Sequence, residues 1–358
     1  MALFGIPHPC LRHALARLLA AAATAAAALL VAACGTLPSA QDQTAPLVLA
    51  GQGSYFVGGR ELRSESLSAV PGFATAGTVT VDQVYVRYQR PARETGRPLV
   101  LVHGCCLTGK TWETTPDGRM GWDEFFVRQG HAVHVIDQAA RGRSAADPSA
   151  IVAVRGGRAP ADQLPAIFSA GREGAWEIFR FGPAHPQVHP GLQYPLEAQA
   201  ELWKQMVPDL SRALPAPNPT VPALSQLAGR LDGAVLVAHS QSGPYPFQAA
   251  ALDRRGLAAI VAIEPVACPQ ATDDMRPYRG LPILVLWGDY TAGSPFWAPR
   301  VQACQAFVAA ANAAGAKAEA VMLAEHGMPG QSHMLMQDRN SLQLAQWLAQ
   351  WIAAKAPR

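Results

Sequence analysis

Residues 234–252 set an apolar strand, a serine and a helix in immediate succession. Ala234-Val235-Leu236-Val237-Ala238 is apolar throughout, His239-Ser240-Gln241-Ser242-Gly243 is a short break of mostly small and polar residues, and Pro246 to Leu252 is compatible with a helix. A short apolar run bounded by such residues has the length of a strand buried on both faces of a parallel sheet. A strand, tight turn and helix in this order lift a serine hydroxyl to the edge of the sheet. The turn usually reads Gly-x-Ser-x-Gly; here Ala238 and Ser242 take the glycine positions, and both are small enough for strand and helix to approach closely. The stretch Leu236–Gly243 also suits an ordinary loop, so residues elsewhere must decide.

Upstream, Pro98-Leu99-Val100-Leu101-Val102-His103-Gly104 is a second buried-strand pattern, ending in His-Gly. In hydrolases built on an α/β sheet, this loop gives one backbone N–H of an oxyanion hole and the residue after the nucleophile gives the other. The donors expected here are Cys105, with Cys106 as its neighbouring alternative, and Gln241. Downstream, Gln331-Ser332-His333-Met334 lies where a triad histidine falls in such chains. The order Ser240, acid, His333 is that of the α/β-hydrolase fold, and differs from the chymotrypsin and subtilisin orders.

Two carboxylates compete for the acid. Asp289 follows Ile283-Leu284-Val285-Leu286-Trp287-Gly288, the commonest position in this fold; Glu264 ends Ile260-Val261-Ala262-Ile263. An unpaired carboxylate at the end of an apolar strand is costly, and His333 would be a partner for Glu264. Spacing does not separate the two. His103 is expected to brace the oxyanion loop, His239 to point away from the attacking face, and Asp137 to hold a turn.

With 358 residues, 49% hydrophobic and 15% charged, the chain can bury a large core. Its net charge of +3 comes from scattered basic residues, which argues against a nucleic-acid partner. Arg12 and Arg17 precede an Ala/Leu run from Leu18 to Ala33 that ends Val31-Ala32-Ala33-Cys34. This is the layout of an export signal over residues 1–33, too short and Ala-rich for a good membrane span. Cys34 after Val-Ala-Ala resembles a lipobox, which implies lipidation of Cys34, a polar tether over 34–49 and a periplasmic or outer-membrane lipoprotein; the alternative is a signal peptide cleaved nearby.

Cys105, Cys106, Cys268 and Cys304 then remain in an oxidising compartment, with three possible pairings. Adjacent Cα atoms lie about 3.8 Å apart, below the usual disulfide range, so a Cys105–Cys106 bond would be strained and would serve only to fix the backbone locally. A Cys268–Cys304 bond would close a long loop and contribute about 3–4 kcal/mol. No Cys-x-x-Cys spacing occurs, and neither a metal nor a cofactor is expected.

The rest alternates strands and helices. Strands are expected at Val79–Arg87, Pro98–His103, His131–Asp137, Ala258–Ile263, Pro282–Trp287 and Ala318–Leu323, and helices at Trp122–Arg128 and Ser341–Ala353. The stretch from about 145 to 231 exceeds a bare crossover, so residues 50–358 read as one domain with an insertion. Trp176, Phe179, Phe181 and Trp203 in that insertion suit a cap over the site.

His103-Gly104-Cys105-Cys106-Leu107-Thr108-Gly109-Lys110-Thr111-Trp112-Glu113-Thr114-Thr115-Pro116-Asp117-Gly118-Arg119, with His239-Ser240-Gln241-Ser242-Gly243 and Ser332-His333-Met334, closely resembles the "novel bacterial esterase" family of α/β-hydrolases. The resemblance runs from about Gly53 to Ile352. It implies a Ser-His-Glu triad of Ser240, His333 and Glu264, a disulfide between Cys105 and Cys106 beside the oxyanion hole, a homodimer and a small ester as substrate. Two other readings stay open: the same residues acting on an amide, lactone or carbon–carbon bond, and a lipid-anchored binding protein without turnover.

Overall fold

The computed structural model describes residues 45–358. The expected export signal, Cys34 and the tether as far as residue 44 lie outside the described residues.

Eight strands form one sheet in the order β1-β2-β4-β3-β5-β6-β7-β8. β1 (Leu49–Ser64) and β2 (Gly77–Pro91) make a long antiparallel hairpin, and β2 also pairs antiparallel with β4 (Val133–Asp137). From β4 onward the sheet is parallel, through β3 (Leu99–Val102), β5 (Ala234–His239), β6 (Leu257–Ile263), β7 (Pro282–Trp287) and β8 (Lys317–Met322). Among the described residues the α-helices are α1 (Trp122–Arg128), α2 (Ser149–Arg155), α3 (Arg172–Ile178), α4 (Gln199–Trp203), α5 (Thr220–Leu231), α6 (Tyr245–Leu252), α7 (Ala298–Ala313) and α8 (Ser341–Lys355). This is the α/β-hydrolase arrangement expected from the sequence.

Strand alternation divides the apolar side chains between two faces. Leu99, Leu101, Val235, Val237 and Val261 pack with Trp122 and Phe126 of α1 and with Leu344, Leu348 and Ile352 of α8. On the other face Val100, Val102, Leu236 and Ala238 meet Val221, Leu224 and Leu227 of α5. Ile260, Ile283 and Val285 meet Phe247 of α6 and Phe307 of α7 on that second face. Burial on both faces is why β3, β5, β6 and β7 read as apolar runs.

The long stretch before β5 is a series of short helices and turns, but its last twelve residues differ. Thr220–Leu231 is an amphipathic helix whose apolar positions 221, 224 and 227 lie on the sheet. The part free to cover the site therefore ends before α5, short of the expected boundary at about 231.

Parallel pairing brings the carboxyl ends of β3, β5, β6 and β7 together, the edge where ligands bind in such sheets. His103-Gly104, Ser240, Glu264 and Asp289 follow those four ends. Cys268 and Cys304, 36 positions apart, are disulfide-bonded and tie the loop after β6 to α7. Replacing both by serine is expected to lower unfolding stability by about 3–4 kcal/mol in a denaturant titration of the oxidised protein; an unchanged midpoint would show that the bond holds nothing the fold needs.

Candidate active site

Ser240 opens a 3-10 turn, Ser240–Ser242, directly after β5. Its φ is +60°, a conformation that costs a non-glycine residue on the order of 1–3 kcal/mol and persists only where its surroundings enforce it. Here the Ser240 carbonyl accepts from the N–H groups of Gly243 (2.9 Å) and Val266 (3.0 Å). At Gly243 a side chain has no room, because an added Cβ would lie 2.4 Å from Pro265 Cβ. Ser242, where the motif usually has glycine, donates its hydroxyl to the carbonyls of His239 (3.0 Å) and Val102 (3.3 Å).

Ser240 Oγ lies 2.8 Å from His333 Nε2, and His333 Nδ1 lies 2.8 Å from Glu264 Oε2. His333 and Glu264 are fully buried, whereas Ser240 keeps 6% of its surface. A molecule entering the site therefore meets the serine first. His333 is held both through its backbone and against its ring. His333 N–H donates to the Phe179 carbonyl, and its own carbonyl accepts from His239 Nε2 at 2.9 Å. Phe179 stacks on the ring, and the Trp297 ring lies 4.5 Å away. Ser332 donates its N–H and hydroxyl to the two oxygens of buried Asp338, which fixes the loop entering His333.

Glu264, not Asp289, is the carboxylate that meets His333. It too has positive φ, +49°, and its N–H is held by the Leu286 carbonyl. Its oxygens also accept the Gly288 N–H and both terminal nitrogens of Arg180, each at 2.5 Å. Asp289 is used otherwise: its carboxylate accepts the N–H groups of Tyr290 (2.8 Å) and Gly330 (3.0 Å), and its carbonyl accepts Arg180 Nε (2.7 Å).

Arg180 was not legible as a site residue. It follows α3 in the insertion, is buried, and makes a bidentate pair with Glu264, the geometry that suits guanidinium to carboxylate. A cation between Phe179 and Phe181 was the available signal, since a buried charge needs a partner; nothing in the sequence placed it beside Glu264.

Burial alone pushes the Glu264 carboxyl up, but the Arg180 charge and the hydrogen bond from His333 overcome it and hold it down to about 2. His333 is lowered from its ordinary value by burial, with Arg180 adding to that and Glu264 opposing it. Imidazolium cannot accept the Ser240 proton, so activity is lost as pH falls through the His333 pKa. The acid limb of kcat/KM on a neutral ester is therefore expected below the ordinary histidine value of about 6.5. A midpoint clearly above that value would contradict this electrostatic balance.

The oxyanion loop is braced from below. His103 is buried and kept neutral, its pKa lowered to about 4 by burial and by Arg141. It donates from Nδ1 to the Gly104 carbonyl and accepts the Gln138 N–H at Nε2. Asp137 accepts the N–H groups of Gly109 and Arg143, as a turn residue does. Gly104 must be glycine, because a Cβ there would lie 2.9 Å from both Ser240 Cβ and His239 Nδ1. On the far side, Gln241 donates to Asp209, and buried Asp209 pairs with buried Arg141 at 2.7 Å.

Cys105 and Cys106 are free thiols in the structure, which differs from the disulfide implied by the family resemblance. The short Cα–Cα spacing of neighbouring residues disfavours that bond. A hydrogen bond to Cys106, with burial, pushes the Cys105 thiol up, and the same bond lowers Cys106. The two sulfurs and an Asp209 oxygen lie within 4.8 Å of one another, though that carboxylate is already engaged by Arg141, Gln241 and Ser211. A cavity of about 320 Å³ opens beside these residues and Ser240.

Comparison with known proteins agrees with this geometry. No family model matches the chain. A solved structure described as a novel bacterial esterase shares 56% sequence identity, with a TM-score of 0.86 over 87% of this chain and 98% of that one. The "Probable secreted lipase phiG" of a fungal species is 26% identical over 331 residues, 75% of this chain and 85% of the lipase. The chain belongs to the novel bacterial esterase family, carboxylic ester hydrolases with the α/β-hydrolase fold.

Proposed function

We propose that the protein is an exported serine carboxylesterase in which Ser240, His333 and Glu264 form the triad and an acyl-enzyme is the intermediate. The observation that carries this reading is the run of two 2.8 Å contacts from Ser240 Oγ through His333 to Glu264, with Ser240 opening on a cavity. His333 Nε2 takes the hydroxyl proton as Ser240 Oγ attacks the ester carbonyl carbon. The oxyanion is held by the backbone N–H groups of Cys105 and Gln241, and losing one such donor typically costs about 10²–10³-fold in rate. His333 then passes the proton to the departing alcohol oxygen, and a water molecule attacks the acyl-enzyme by the same route. Glu264 keeps Nδ1 protonated and balances the imidazolium charge.

Two further readings belong to the same proposal: one from the residues of the N-terminus, the other from the family resemblance. Export through residues 1–33 with lipid on Cys34 anchors the enzyme at a membrane, and similarity to a secreted lipase supports the export step. The enzyme assembles as a homodimer. The activity itself is tested with p-nitrophenyl butyrate at pH 8: steady release of p-nitrophenol, lost on replacing Ser240, supports the reading, and an inert wild-type protein overturns it.

A further inference from the structure

We infer that the cavity beside Ser240 is the acyl pocket, that it takes uncharged apolar acyl groups of roughly ten carbon-sized atoms, and that Gly174 sets how long a chain it admits. This rests on the serine esterase reading above. The cavity of about 320 Å³ touches Ser240 and both cysteines of the oxyanion loop, and His333 is not among its lining residues. The leaving oxygen must face His333 Nε2 to be protonated, so the alcohol occupies the other side and the acyl group enters this cavity.

The walls decide the class of group. Phe168, Ile178, Phe179 and Met206 supply apolar surface, and no Asp, Glu, Lys or Arg lines the space. A carboxylate in the acyl chain would lose its water and find no cation, a penalty far larger than any packing gain. At about 30 Å³ per water-sized group, the volume holds roughly ten atoms. Apolar contacts of this kind separate substrates by about tenfold or more per methylene.

Gly174, an exposed position of α3, is one of the residues that line the cavity. An added Cβ there meets nothing within 4 Å, so a larger side chain enters open space without clashing. Glycine inside a helix is about 1 kcal/mol less favourable than alanine. Gly174→Leu should therefore fold at least as well as wild type while narrowing the cavity.

The test holds the alcohol constant and varies the acyl group, using p-nitrophenyl acetate, butyrate, octanoate and hemisuccinate with wild type, Gly174→Leu and Met206→Ala. Wild type is expected to favour butyrate and octanoate over acetate, and to discriminate against hemisuccinate by about 100-fold or more relative to butyrate. In Gly174→Leu, kcat/KM for octanoate falls about tenfold or more while acetate stays within about twofold; Met206→Ala shifts the preference toward the longer chain. A parallel change for acetate and octanoate in Gly174→Leu, or hemisuccinate cleaved as fast as butyrate, overturns the pocket assignment while the esterase reading stands. Absence of turnover on every ester by the wild-type protein refutes the esterase reading, and the pocket with it.

Discussion

Ser240→Ala is expected to lower kcat for short-chain esters by about 10⁴–10⁶-fold, because one missing member disables a triad that acts as a unit. What residual rate persists comes from the oxyanion donors and from binding. The fold should survive. The substitution removes one hydroxyl whose hydrogen bond is to His333 Nε2, and a change without a cavity or an orphaned buried charge usually costs within about 1 kcal/mol. Steady-state hydrolysis together with a thermal unfolding curve checks both halves. A variant that keeps a tenth of wild-type activity removes Ser240 from the mechanism; a variant that no longer folds assigns it to the scaffold.

Glu264→Gln carries the second large effect, and it acts on two quantities at once. An amide cannot hold His333 in the productive tautomer, and the analogous change in a well-studied triad lowers kcat by about 10⁴-fold. It also leaves buried Arg180 without its counter-charge, and breaking a buried pair from one side costs about 3–5 kcal/mol. The effects separate in the double variant Arg180→Met/Glu264→Gln, which should regain much of the lost stability and none of the activity. Asp289→Asn is the control. Its carboxylate accepts only the backbone N–H groups of Tyr290 and Gly330, so hydrolysis should fall by less than about tenfold. Dead Asp289→Asn beside active Glu264→Gln would reverse the assignment of the acid.

What was legible in the sequence follows from which forces act locally. β3, β5, β6 and β7 stood out because strands covered on both faces are continuously apolar, and β7 spans Pro282–Trp287 as expected. α1 likewise occupies Trp122–Arg128. Ser240, Glu264 and His333 were readable because each follows a strand end or lies late in the chain, where topology alone carries it to the sheet edge. Spacing alone did not choose between Glu264 and Asp289; the family resemblance pointed to Glu264. The choice turns on Arg180 and the Gly288 N–H, which reach Glu264 through tertiary packing from distant sequence positions. The insertion resisted reading for a related reason. α2, α3 and α4 have no more than seven residues each, too short for helical periodicity to declare itself, and the packing of α5 on the sheet is a tertiary contact. The state of Cys105 and Cys106 lies beyond sequence altogether, because it depends on the redox surroundings as well as on spacing.

Covalent trapping tests the central claim most directly. A serine-reactive fluorophosphonate is added to the wild-type enzyme, the adduct is located by peptide mass analysis, and ester hydrolysis is followed in the same sample. The account predicts one phosphonyl group per chain, on Ser240, with activity lost in proportion to labelling and no adduct in Ser240→Ala. An unlabelled Ser240 in a protein that still hydrolyses esters, or inactivation through an adduct on another residue, would contradict it.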